Sequence, residues 1–324
     1  DRPTFCSSSR VLRSVMLGRA VCRAHAKGGM GMLVGRSRVP TWYRDTRAVH
    51  PQPGNVRTMT TAPPAVNPMF SLSGRSAVVT GGGRDIGAAC AVELARAGAD
   101  VVINYHASAA AADATVAEIR SLGRSATAVQ ADVFTQEGVD HLHAEAAAFF
   151  GDRTIDVLVC NAGGLNVRGE LHELSMETIR ENFDMNFFST AAACKAFIPA
   201  MVANGFGRVI LMGSIAGNNG GSGTTTPHYG PAKAAIHCLA RSLTQAYAGA
   251  GVNINAIAPG VIDNGFHAAH TSPENMGRMV SRIPQGRPGA NAEVGAVAAF
   301  LASPAATHVT GEVLHVNGGM LFGS

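Results

Sequence analysis

From about Ser71 onward, short runs of consecutive apolar residues alternate with longer stretches whose apolar positions recur every three or four residues. The short runs fall at 77–80, 101–105, 126–130, 155–160, 208–212, 252–257 and 313–316. They are brief and rich in Val, Ile and Ala, and they predict seven strands. The longer stretches at 86–97, 109–122 and 139–150 have helical spacing; Val139, Leu142, His143, Ala146 and Phe150 share one side of such a helix. Strands that are apolar throughout, rather than alternating, predict a parallel sheet covered on both faces.

Right-handed crossovers then make this an α/β fold: a single doubly wound, Rossmann-type domain with a seven-stranded parallel sheet. About 255 residues fit one such domain, and neither linker nor repeat interrupts it. The expected domain spans 66–324.

Residues 1–65 lack this pattern. Residues 1–60 hold eleven Lys and Arg against two acids, Asp1 and Asp45, which leaves 15 basic and 20 acidic residues in the remainder. The overall charge of +4 therefore belongs to the leader, and the body predicts no nucleic-acid affinity. Arg among Ser and small apolar residues resembles a transit peptide, which would send the chain to the mitochondrion or another organelle. Met59 offers the competing reading, a short start just before the domain with a cytoplasmic product. Under either reading 1–65 is expected to be a disordered leader. No stretch of about 18 uninterrupted apolar residues predicts a membrane span. The six cysteines are scattered without a C-x-x-C pair, which predicts reduced thiols and no zinc site.

Between the first strand and helix stands Thr80-Gly81-Gly82-Gly83-Arg84-Asp85-Ile86-Gly87. Glycines let backbone approach a pyrophosphate, and the helix N-terminus behind them offers free N–H groups. The second strand ends Asn104-Tyr105-His106-Ala107-Ser108 without the acid that receives an adenosine ribose. Arg84 has the paired donors for a 2′-phosphate there. NADP(H) is the expected cofactor. Farther on, Tyr229-Gly230-Pro231-Ala232-Lys233 opens a helix, and positions four apart share a face. A phenol is a poor base near neutrality, and an adjacent ammonium draws its pKa down.

These segments resemble the short-chain dehydrogenase/reductase family. Its loop reads T-G-x-x-x-G-x-G, matched by Thr80, Gly81 and Gly87, with Asp85 in place of the middle glycine. An aspartate there is expected to cap the helix that begins at Ile86. The resemblance implies that Asp132-Val133 hold the adenine and that Asn161-Ala162-Gly163 line the cofactor. It makes Ser214, in Gly213-Ser214-Ile215, the catalytic serine, and Asn186 the asparagine that supports a water relay to the lysine. Pro259, Gly260 and Ile262 fall beside the nicotinamide, and Asn264 replaces the family threonine with a shifted hydrogen bond to the carboxamide. Tyr105 and Ser108 match the N-Y-x-x-S ending of NADP(H)-using members.

The segment 310–319, TGEVLHVNGG, is similar to β-ketoacyl-carrier-protein reductases and implies a homotetramer. That likeness leaves several functions open. One is a reductase of small carbonyl or sugar-like substrates, with the ketone as hydride acceptor. A second is a 3-oxoacyl-[acyl-carrier-protein] reductase, and a third a non-catalytic NADP(H)-binding scaffold. Carrier-docking members place arginines where this chain has Gly205 and Gln245, with Arg241 one turn away, so the small substrate is preferred. Specificity is expected in 264–287, with His267, His270, Met276 and Met279, and in 218–228; these histidines are read as a mobile lid, and no metal ligand is assigned.

Overall fold

The computed structural model describes residues 67–323 apart from Ser222. The leader 1–65 lies outside the described residues. Strands β1 (Ser76–Val79), β2 (Asp100–Tyr105), β3 (Ala126–Gln130), β4 (Val157–Cys160), β5 (Gly207–Met212), β6 (Val252–Pro259) and β7 (Val313–Val316) form one parallel sheet in the order β3-β2-β1-β4-β5-β6-β7. Consecutive residues of one strand face opposite sides. Val79, Val101, Ile103 and Ile210 pack under α1 (Asp85–Arg96), α2 (Ala109–Ser121) and α10 (Asn291–Ala302). Val78, Val102, Leu158 and Leu211 pack under α3 (Gln136–Phe150), α5 (Ser189–Asn204) and α7 (Tyr229–Tyr247). Both faces are therefore core, which is why the strand sequences are apolar without alternation.

Before α5 comes α4 (Met176–Phe183), and short helices α6 (Ala216–Asn219), α8 (Gly265–His270) and α9 (Pro273–Val280) border the carboxyl ends of the strands. Between α4 and α5 a π turn, Asp184–Phe188, carries the chain forward, with Ser189 N–H donating to Asp184 C=O five residues back. The run Met176–Asn204 is long and apolar enough to match a membrane span by length and composition alone. Its α5 portion instead presses Cys194, Phe197, Ile198 and Met201 into the sheet core, as a covering helix does.

Most element boundaries differ from the sequence expectation by one to three residues, and two of the shifts have a clear local cause. Strand β4 begins at Val157 rather than 155, because the Asp156 carboxylate takes Ser76 N–H at 3.1 Å and pairs with Arg75 at 3.1 Å. Helix α3 begins at Gln136, before the apolar spacing starts, because Thr135 Oγ1 accepts Gly138 N–H at 3.0 Å as an N-cap. The chain reverses its direction of winding between β1 and β4. A crevice opens there, at the carboxyl ends of the strands.

Candidate active site

The loop after β1 is held from both sides. Thr80 Oγ1 accepts the N–H groups of Asn161 and Ala162 at 3.0 Å each, and Asn161 Nδ2 donates back to Thr80 and Gly81 carbonyls at 3.1 Å. Asn104, at the end of β2, accepts Gly81 N–H at 3.2 Å and donates to Ala131 C=O at 2.9 Å. Its side chain thus ties three strand ends together, a role that the sequence does not reveal. Gly81 adopts φ +61°, and a Cβ on Gly87 would lie 2.1 Å from Gly81 C=O, so neither position tolerates a side chain. The first backbone bond of α1 runs from Ala88 N–H to Arg84 C=O at 3.1 Å. Among the described residues Ile86 and Gly87 N–H have no acceptor, and they line the cleft. Donors at a helix N-terminus beside a backbone without side chains fit a pyrophosphate.

Asp85 does not cap α1. It is the one described non-glycine residue with positive φ, +52°, and no side-chain cap bond forms at this end of the helix. Its Oδ1 accepts Gly265 N–H at 3.0 Å, so the carboxylate reaches across the crevice to α8. The left-handed conformation explains the family's glycine here, and it turns the side chain away from its own helix. Arg84 Nε approaches Asp85 Oδ2 at 3.9 Å, and its side chain is 72% exposed.

A cleft of about 630 Å³ runs from this loop to the end of β5. Every residue expected from the sequence to hold a dinucleotide or to act on substrate lines it, except Thr80 and Asn186. At one end are Arg84, Tyr105, Ser108, Asp132 and Val133; at the other are Ser214, Tyr229 and Lys233. Thr80 is buried behind the loop that it anchors.

Asn186 is also buried, in the π turn. Its Nδ2 donates to Gly164 and Asn182 carbonyls at 2.8 Å each, and its Oδ1 accepts Gly164 N–H at 3.1 Å. Gly163 adopts φ +149°, and a Cβ there would lie 2.8 Å from that same oxygen. Asn186 therefore braces the turn after Asn161-Ala162 from behind, and among the described residues no direct hydrogen bond joins its side chain to Lys233.

Tyr229 is the first residue of α7, and Lys233 follows one turn later on the same face. Lys233 Nζ donates to Met212 C=O at 2.9 Å and stands 5.8 Å from the centre of the Tyr229 ring. Burial lowers the Lys233 pKa to about 8. Burial raises that of Tyr229, and a hydrogen bond with the Ser214 side chain works against the rise. Behind Ser214 lies His237, whose Nε2 faces Ser214 N–H at 3.5 Å. Burial first, then the charges of His315, Arg241 and Lys233, lower the His237 pKa to about 4, which leaves it neutral. That support was missed in the sequence because α7 presents His237 only as one polar residue among apolar neighbours.

The specificity segment closes the far side. Phe266 stacks on Tyr229, with ring centres 6.4 Å apart at 29°, and the edge of His267 meets Phe266 at 5.3 Å. His267 Nδ1 is 3.0 Å from Thr271 Oγ1, and Asn264 Oδ1 accepts His267 N–H at 3.4 Å. Asn264 thus caps α8 with its oxygen and lines the cleft. Met279 of this segment also lines the cleft, as do Arg282 and, from the loop after β4, Arg168.

A family model described as enoyl-(acyl carrier protein) reductase matches residues 81–321. Glucose 1-dehydrogenase 2 of Bacillus subtilis is 34% identical over 250 residues, 77% of this chain and 95% of that protein. A 3-oxoacyl-[acyl-carrier-protein] reductase of Synechocystis is 37% identical over 254 residues, 78% of this chain and 99% of that protein. Among solved structures, one described as an NAD(P)-dependent gluconate 5-dehydrogenase from Beutenbergia cavernae, with bound NADP, superposes with a TM-score of 0.72. It shares 38% identity over 78% of this chain and 98% of its own.

Proposed function

The chain belongs to the short-chain dehydrogenase/reductase family, whose members here are oxidoreductases acting on alcohol and ketone groups, and from that premise we propose its particular reaction. The protein interconverts a ketone and a secondary alcohol on a small carbonyl or sugar-like substrate, with NADP(H) as cofactor. The observation that carries the reading is the single cleft joining the glycine loop to Ser214, Tyr229 and Lys233. Arg84, Tyr105 and Ser108 would hold the adenosine end, and the absence of an acid at the end of β2 favours a 2′-phosphate over a bare ribose. Solved neighbours hold either dinucleotide, NADP in some (one at low occupancy) and NADH in a 7α-hydroxysteroid dehydrogenase, so the choice of NADP(H) rests on the β2 end.

When bound, the nicotinamide supplies or accepts the hydride. Everything else falls to this chain. Ser214 Oγ orients the substrate oxygen, and Tyr229 gives that oxygen its phenol proton in reduction or removes it in oxidation. Lys233, fixed on Met212 C=O, lowers the cost of charge on Tyr229 and offers its remaining donors to a ribose. Phe266 excludes water from one side of Tyr229.

The small-substrate reading rests on the cleft's surroundings. Gly205, the C-cap of α5, has no side chain, and Gln245 on α7 is uncharged, so the positions where carrier-docking relatives have arginines are neutral. Arg241 remains exposed one turn away, and the carrier-protein relative keeps that alternative in view. Turnover of NADP(H) against ketones, polyols and a β-ketoacyl group, on carrier protein and on a short thiol, separates the readings. Turnover of the free compounds, with less than about tenfold advantage for the carrier form, is expected; a larger, salt-sensitive advantage overturns the substrate class. No turnover of any of them, with dinucleotide still bound, leaves the scaffold.

A further inference from the structure

Asp85 combines three features that no other described residue shares. It has the only positive φ outside glycine, it lies in the loop that would hold the dinucleotide phosphates, and its carboxylate is bonded to α8 on the opposite wall. Positive φ disfavours a residue with a Cβ, and a carboxylate beside phosphates meets like charge. Both features run against the loop's own purpose, so the explanation lies on the other wall.

There the carboxylate accepts Gly265 N–H at 3.0 Å. A Cβ on Gly265 would stand 3.1 Å from Asp85 Oδ2, so the partner position is shaped to receive the group. The next residue is Phe266, stacked on Tyr229. A bond at Gly265 therefore sets where the Phe266 ring lies over Tyr229. The contact joins residues 180 apart in sequence and spans the mouth of the cleft.

We propose that Asp85 is a positioning residue that clasps α8 to the cofactor loop, so that occupation of the dinucleotide site and closure of Phe266 over the substrate are coupled. The proposal rests on the reading of the cleft as an NADP(H) site, and its test separates the two. The clasp is measured in the full-length protein without ligand, by amide hydrogen exchange at Gly265 and Phe266. Asp85→Gly removes the acceptor and also relieves the backbone, so folding is preserved; exchange there should quicken by about tenfold, the equivalent of one lost hydrogen bond. Asp85→Asn keeps an acceptor and tolerates positive φ, and should restore protection to within about threefold. Gly265→Ala should quicken exchange as Asp85→Gly does, and the double variant should add nothing further.

Coupling is then read by repeating the exchange with saturating NADPH. The wild type should gain protection at 265–266, and Asp85→Gly should gain less than half as much. In kinetics with whichever ketone is turned over, Asp85→Gly should raise KM for the ketone about tenfold and alter kcat less, and Asp85→Asn should recover most of that KM. Unchanged exchange at Gly265 in Asp85→Gly overturns the clasp. Protection gained equally by wild type and variant overturns the coupling. Failure of NADPH to bind wild type, with the clasp intact in the free protein, overturns the cofactor reading instead.

Discussion

Lys233 Nζ donates to Met212 C=O at 2.9 Å, which seats the ammonium on the end of β5 and 5.8 Å from the centre of the Tyr229 ring. The lysine therefore needs no flexible search to meet the tyrosine; a strand end holds it. From this arrangement Tyr229→Phe is expected to lower turnover by at least about 100-fold and to leave NADPH affinity nearly intact, since the ring and its stacking on Phe266 remain. Lys233→Ala should reduce both turnover and affinity. Steady-state kinetics beside calorimetric titration of NADPH checks the pair, and near-normal turnover in Tyr229→Phe would remove Tyr229 from the chemistry.

The same lysine gives a pH dependence with a definite sign. Burial lowers its pKa to about 8 and raises that of Tyr229, so the productive state for reduction, charged Lys233 with protonated Tyr229, prevails below about pH 8. The kcat/KM for ketone reduction should fall as pH rises through about 8, and Lys233→Arg should lack that inflection because arginine stays charged. Stability moves the other way. From about pH 8 to the unfolded lysine's usual value near 10.4, the unfolded chain binds more protons, so this group favours folding increasingly as pH rises. A fall in rate accompanied by an equal fall in Tm over that window would contradict the assignment.

His237 predicts a second window. Its pKa of about 4 lies below the ordinary imidazole value, so the folded state keeps it neutral while the unfolded chain takes up a proton. Its contribution to stability is present above about pH 6.5 and is lost as pH falls toward 4. His237→Gln should flatten the acid side of a plot of Tm against pH. It should also disturb the Gly213-Ser214 turn, raising KM for substrate more than for NADPH. An unchanged acid limb would show that other groups govern acid unfolding.

Cofactor choice is expected to reside at Arg84 and Tyr105. Arg84→Ala combined with Tyr105→Asp removes donors from the 2′-phosphate and adds a repelling charge, so the ratio of kcat/KM for NADPH over NADH should fall by at least about tenfold. If the unaltered protein already prefers NADH in a direct comparison, the reading of the β2 end is wrong.

Strand β7 predicts self-association. Its four residues are each only half-buried, whereas β1, β4, β5 and β6 are buried throughout, and Phe322 just beyond it is 82% exposed. A symmetric oligomer, with this edge covered by a second copy, is the expected state. Light scattering on the purified protein should give a multiple of the chain mass, and Phe322→Glu should weaken it. A monomer at micromolar concentration would refute this.

Most of the fold was legible because both faces of the sheet are covered. Each strand then shows as an unbroken apolar run, and each covering helix as a periodic one. That the glycine loop, Ser214, Tyr229 and Lys233 share one cleft was legible for a related reason: their spacing along the chain carries the geometry. What stayed hidden depends on the far wall. The sequence placed Asp85 as a cap because an aspartate ahead of a helix usually is one, and nothing local reports a φ of +52° or a partner 180 residues away. Phe266 over Tyr229 and His237 behind Ser214 are tertiary meetings of the same kind. The bracing of Gly164 by the Asn186 side chain was likewise invisible along the chain, because it joins residues 22 apart through a buried turn.

The π turn at Asp184–Phe188 has a consequence for how this chain can change. Such a turn is a helix carrying one residue too many. A deletion within it would let α4 and α5 run together in regular register, with tighter backbone bonding. The same deletion would swing everything on one side by about 100° relative to the other. Asn186 would leave Gly164, and the turn after Asn161-Ala162 would lose its brace. Selection for a sturdier helix and selection for a working cleft therefore oppose each other at this point. A library of single deletions across 184–188 screened for turnover should be empty of active members, even where the longer helix forms.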